Sequence, residues 1–171
     1  MKRDIRLSVT YPHPPARVWR ALTTSQAIAA WLMPNDFVPE VGRAFTMRTE
    51  PALGFDGVVH CEVLTLEPER SMSWSWRGGP IDTVVTFRLE PEGQGTRLYF
   101  EQTGFEGLPA LLVSVILGQG SKRIYRQRLP EVLDRMARGE GFGAVAPEGC
   151  EGSVVEKGLG KAVGALSGPG R

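Results

Sequence analysis

The residues best suited to proton transfer are His60 and Glu62, an imidazole and a carboxylate two positions apart in the run Val58-Val59-His60-Cys61-Glu62-Val63. In extended chain, residues two apart point to the same side. On an interior face this pair would form a polar anchor or an acid–base couple. On an outer face it would be a solvated cross-strand pair, which is the default because ionisable residues are seldom buried unpaired. The other histidine, His13, stands among Pro12, Pro14 and Pro15 and is expected in a solvated loop. Nucleophilic catalysis needs a serine or cysteine within reach of a base, and no Gly-x-Ser-x-Gly elbow is present. His60 and Glu62 are therefore the only catalytic candidates, and no assembled catalytic site is legible.

Metal and phosphate chemistry are disfavoured in the same way. Cys61 and Cys150 are 89 positions apart with no Cys-x-x-Cys spacing, so no structural metal site and no other cofactor is expected. Two free thiols are the expected state. The Gly158-Leu159-Gly160-Lys161-Ala162-Val163-Gly164 stretch lacks the preceding strand that a phosphate-binding turn requires.

A different chemistry is open to the large apolar residues. Trp31, Phe45, Met47, Trp74, Trp76, Phe87 and Phe100 could line a cavity that recognises a hydrophobic molecule by area and shape. The same residues could equally form solid core, since packing a sheet on a helix demands them anyway. The choice depends on the elements that position them.

Ile5 to Tyr11 alternates apolar and polar residues, the mark of a half-buried strand, and Pro12, Pro14 and Pro15 stop it. Val18, Trp19 and Leu22 then form the stripe of a short helix. Thr24 or Ser25 is placed to cap a second one carrying Ile28, Trp31 and Leu32, ended by Pro34. Beyond Gly42 the period falls to two, with strands expected near 43–50, 56–67, 71–77, 81–90 and 96–103. The turns between them are too short for crossover helices, so the sheet must be an antiparallel meander. Residues 108–138 follow as a helical region, divided by Gly118 and Gly120 and bent at Pro130. Its stripe of Ile124, Tyr125, Leu129, Val132, Leu133 and Met136 is the face a curved sheet would grip. The fold class is α+β: a helix-grip domain over residues 1–138, its antiparallel sheet wrapped around a long C-terminal helix. Residues 139–171, with ten glycines in 33 positions, read as a flexible tail.

Composition bounds the function. Twenty basic and nineteen acidic residues give a net charge of +1, so no field of one sign is available for nucleic acid. The longest apolar run, Leu108 to Leu117, is too short to span a bilayer. The alternating start is not a signal-peptide core, so a cytoplasmic location is expected. Residues 121–138 carry six basic and two acidic side chains, a solvated face or a docking surface for an acidic partner.

These pieces together resemble a known family. Pro15-Ala16-Arg17-Val18-Trp19-Arg20-Ala21-Leu22-Thr23, followed by Trp31-Leu32-Met33-Pro34, is similar to the opening of the SRPBCC or START-like superfamily. Gly57 to Val63, Glu67-Pro68-Glu69-Arg70 and Trp74-Ser75-Trp76 resemble the branch related to the C-terminal domain of the activator of the ninety-kilodalton heat-shock protein's ATPase. The resemblance covers about residues 5–138. It implies a cavity between sheet and C-terminal helix, in a group whose members range from ligand carriers to cyclase-like enzymes and chaperone regulators. The expected function is a non-catalytic module for a hydrophobic small molecule, lipid-like or aromatic. A chaperone-regulating interaction protein and a polyketide cyclase or hydrolase are the alternatives.

Overall fold

The computed structural model describes residues 2–51 and 54–142. Six strands, β1 (Lys2–Tyr11), β2 (Ala44–Arg48), β3 (Val58–Glu67), β4 (Ser71–Gly78), β5 (Ile81–Glu92) and β6 (Gly95–Glu106), form one sheet in the order β1-β6-β5-β4-β3-β2. Every pairing is antiparallel, as the short connections require. Only β1 leaves chain order: the helical corner α1 (Pro15–Leu22) and α2 (Ser25–Trp31) carries the chain to the far edge. The meander then returns β6 to lie beside β1.

Curvature comes from interrupted pairing. The register shifts between Arg3 and Ile5 and between Val63 and Thr65, and such irregularities bend a strand and increase its twist. The short edge strand β2 is screened by residues 34–36, where Arg48 N–H donates to Pro34 O at 2.9 Å and Asp36 N–H to Thr46 O at 3.3 Å. Covering an edge in this way removes a template for aggregation.

The concave face holds the core. Ile5, Phe45, Val59, Trp74, Phe87 and Phe100 point inward from their strands, while Arg6, His60, Glu62 and Arg88 point out. Against this face lie α3 (Leu108–Arg123), a π-turn (Ile124–Arg128) and α4 (Leu129–Ala137). Gly118 and Gly120 do not divide the helix; α3 runs through both. The irregularity comes at the π-turn, where Leu129 N–H reaches back five residues to Ile124 O. Pro130, with no N–H to give to residue 126, follows directly, and the widened turn takes up the missing bond. Neither proposed cap closes α2: Thr24 Oγ1 donates to Arg20 O at 2.6 Å and Ser25 Oγ to Asn35.

Among the described residues no helix is long and apolar enough to cross a membrane. Gly139 to Phe142, assigned to the tail by composition, close the last helix. Gly139 N–H donates to Met136 O at 3.1 Å, and the Arg20 guanidinium sits over the Phe142 ring at 5.5 Å. The rest of the expected tail, with Cys150 and the glycine-rich stretch at 158–164, lies outside the described residues.

Candidate functional site

Trp31 is fully buried at the end of α2, and its indole N–H donates to Ala21 O at 2.9 Å. Its ring meets Phe87 edge-on with centroids 6.4 Å apart and leans on Tyr125 at 5.7 Å. From Phe87 the aromatic contacts run through Trp74 at 5.0 Å to Phe45 at 5.4 Å and Phe37 at 5.8 Å. Edge-to-face contacts suit ring quadrupoles and leave little empty space. Trp31, Phe45, Met47 and Phe87 are therefore packed core and do not line the cavity.

Among the described residues a space lies between β4, β5 and β6 on one side and the C-terminal helix on the other. It is a cavity of about 20 Å³, lined by Leu32, Trp74, Trp76, Val85 and Phe100 together with Gln102, Leu117, Ser121, Ile124 and Tyr125. That volume accommodates roughly one water. Of the seven aromatic and methionine candidates, Trp74, Trp76 and Phe100 meet here.

The polar groups of the cavity are few and individually placed. Gln102 Nε2 donates to Thr83 Oγ1 at 2.9 Å, and Ser121 Oγ donates to Leu117 O at 2.8 Å. The Trp74 indole N–H is buried with no hydrogen-bond partner among the described residues. Tyr125 is buried, and desolvation, followed by the neighbouring Tyr11, pushes its phenol well above the ordinary value. It therefore keeps its proton. The Tyr11 hydroxyl donates to the Tyr125 carbonyl and fixes the π-turn to the sheet edge. Burial also raises the Cys61 thiol, first through desolvation and then through Asp36, so Cys61 is an inert core thiol and not a nucleophile.

His60 and Glu62 lie on the outer, solvent-facing side of β3, while Val59, Cys61 and Val63 take the buried side. The strand's alternation settles the matter: with the apolar set inward, the charged set must face water. The acid–base couple that a cyclase-like reading needs is therefore not assembled in the interior.

His13 is the opposite correction. Expected in solvent, it is 5% exposed. Its Nε2 lies 2.9 Å from Asp134 Oδ1 in α4, and Arg17 Nη1 lies 3.0 Å from Nδ1. A guanidinium can only donate, so Nδ1 must be the bare acceptor; Nε2 then carries the proton and donates to Asp134. The neutral ring thus clamps α4 onto α1, away from the cavity. The four-residue spacing of His13 and Arg17 at a helix start was the one available signal. Gln102 and Ser121 were also missed. Gln102 is a polar residue at an inward position of an alternating strand, and that anomaly was its signal.

Half-buried Arg128 donates weakly to Ala30 O at 3.5 Å, at the end of α2. Desolvation, with Arg123 nearby, lowers its pKa against the opposing pull of Glu131.

This architecture has relatives among solved structures. A Mesorhizobium loti protein shares 35% identity over 78% of this chain and 98% of its own, with a TM-score of 0.69. DynU16, from the dynemicin biosynthetic locus, shares 23% identity over 77% of this chain and 47% of its own, TM-score 0.64. The Aha1 dimer from Colwellia psychrerythraea shares 18% identity over 81% of this chain and 99% of its own, TM-score 0.60. No curated protein matches. The model of one family, described as activator of Hsp90 ATPase homolog 1-like protein, matches residues 12–134, from the end of β1 to the Asp134 that His13 holds in α4. A match over that span, on a six-stranded helix-grip fold, places this chain in the activator of Hsp90 ATPase homolog 1-like family.

Proposed function

We propose that the chain is a non-catalytic binding module that takes a hydrophobic small molecule, lipid-like or aromatic, between the sheet and the C-terminal helix. The observation that carries this reading is the convergence of Trp74, Gln102, Ser121 and Tyr125 on one otherwise apolar cavity. A few placed polar groups in an apolar lining are the composition of a ligand site. At about 20 Å³ the cavity is the closed form, and a guest enters by displacing the wall that can move. Leu117 and Ser121, on α3, form that wall, while Ile124 and Tyr125 stay with the π-turn that Tyr11 ties to the sheet edge. Gly118 supports its mobility: a Cβ there would meet only Ile5 at 3.9 Å. Packing therefore does not demand glycine, although glycine in a helix costs about 0.5–1 kcal/mol relative to alanine.

Titration with N-phenyl-1-naphthylamine, a neutral dye that brightens in apolar surroundings, tests the reading. The wild type should give a saturable rise, and Ser121→Phe, which fills the cavity, should weaken binding by about tenfold or more at an overpacking cost of about 1–3 kcal/mol. Undiminished binding by the filled variant would count against this site.

A second reading, docking to an acidic protein surface, draws on the exposed side chains of Lys122, Arg123 and Arg126. Such charge mainly steers encounter, and it is compatible with an occupied cavity.

A further inference from the structure

One residue that lines the cavity carries a donor whose hydrogen bond is not made among the described residues. Trp74 is 0% exposed, and its indole N–H has no partner among the described residues. Trp31, equally buried, donates to Ala21 O, so the fold can satisfy a core indole where one is needed. If packing alone were required at position 74, phenylalanine would supply a ring without the desolvated N–H. A buried polar group left unpaired is costly and rare, and asks for an explanation.

The rest of the lining narrows what could answer that donor. Ser121 gives its hydroxyl proton to Leu117 O and Gln102 gives one of its two amide protons to Thr83 Oγ1, so the second Gln102 N–H is a further donor for a guest's acceptor. Burial raises the Tyr125 phenol well above its ordinary value, so its hydroxyl keeps its proton and stays a donor. Among the described residues no Lys, Arg, Asp or Glu lines the cavity. A carboxylate or phosphate would be stripped of water with no countercharge, so a charged group is unfavourable here. Trp76, Phe100 and the Trp74 ring offer flat apolar surfaces, and Leu32, Val85, Leu117 and Ile124 close the sides.

Building on the binding function proposed above, we infer that the guest is a neutral, planar aromatic molecule whose oxygen acceptor, a ketone or quinone carbonyl, receives the Trp74 indole N–H. Its ring system occupies the apolar lining, and the acceptor displaces the single water for which the closed cavity has room.

The matched pair 1-indanone and indane, one bicyclic frame with and without a carbonyl, tests this. Binding is followed by the indole N–H signals of the four tryptophans in nitrogen–proton correlation spectra. The ketone should bind about tenfold tighter than the hydrocarbon. It alone should move the Trp74 indole proton downfield, and Trp74→Phe should bring 1-indanone down to the affinity of indane. Equal affinities with an unmoved Trp74 signal overturn the inference and leave the binding function standing. Failure of both compounds to bind overturns the two together. Should Trp74→Phe not fold, the wild-type pair and the Trp74 signal decide alone.

Discussion

Trp31→Ala should lower the free energy of unfolding by about 3–5 kcal/mol, the range for deleting a fully buried tryptophan. At about 2–4 °C per kcal/mol for a chain of this size, the midpoint should fall on the order of 10 °C. Three contributions add. The side chain is 0% exposed, its N–H bond to Ala21 O ties α2 back to α1, and its ring supports both Phe87 and Tyr125. Tyr125 belongs to the π-turn, so one side chain joins the helical corner, the sheet and the cavity wall. Thermal unfolding followed by circular dichroism checks this, and a loss below about 1 kcal/mol would mean that the site collapses onto the gap.

Gly95→Ala should also destabilise, by about 1–3 kcal/mol, for a reason unrelated to hydrophobic area. A Cβ at this position would sit 2.3 Å from the Tyr11 carbonyl oxygen, and backbone cannot rotate away as a side-chain tip can. The strain falls where β1 meets β6, at Tyr11, whose hydroxyl holds the π-turn carbonyl. Gly93→Ala is the control. Its Cβ meets nothing within 4 Å, and only its φ of +58° opposes a side chain, at about 1–2 kcal/mol. Equal effects for the two would show that turn conformation, not the contact with Tyr11, governs this corner.

Much of the fold was legible because strand and helix periods are read directly from apolar spacing. The inward set Met72, Trp74 and Trp76 of β4 and the stripe Ile124, Tyr125, Leu129, Val132 and Leu133 are buried as their periodicity requires. Boundaries were less legible. The last strand continues past 103 to Glu106 because Gly104, at φ +101°, adopts a backbone that other residues resist. Gly118 and Gly120 looked like breaks, yet tertiary packing on β1 and β6 holds α3 through them.

The site was only half legible, and the reason is geometric. Alternation tells which residues face inward but not how far along a strand the helix crosses. It could not separate Trp74, Trp76 and Phe100, at the cavity, from Phe45, Met47 and Phe87, in packed core. His13 was misread because a proline-rich neighbourhood argues for a loop, and a loop residue is buried only when a distant partner waits for it. That partner is Asp134, 121 positions away, and spacing of that length leaves no local trace. His60 and Glu62 followed the ordinary rule that unpaired charge faces water.

Binding as proposed requires an interior that opens between the sheet and the C-terminal helix to admit a guest. A backbone amide chemical-shift map, recorded while N-phenyl-1-naphthylamine is titrated, addresses that opening most directly. Saturable changes should concentrate from Leu117 to Tyr125 and at the inward residues of β4, β5 and β6. Changes confined to the outer face around His60, Glu62 and Leu64, or none that saturate, would contradict it.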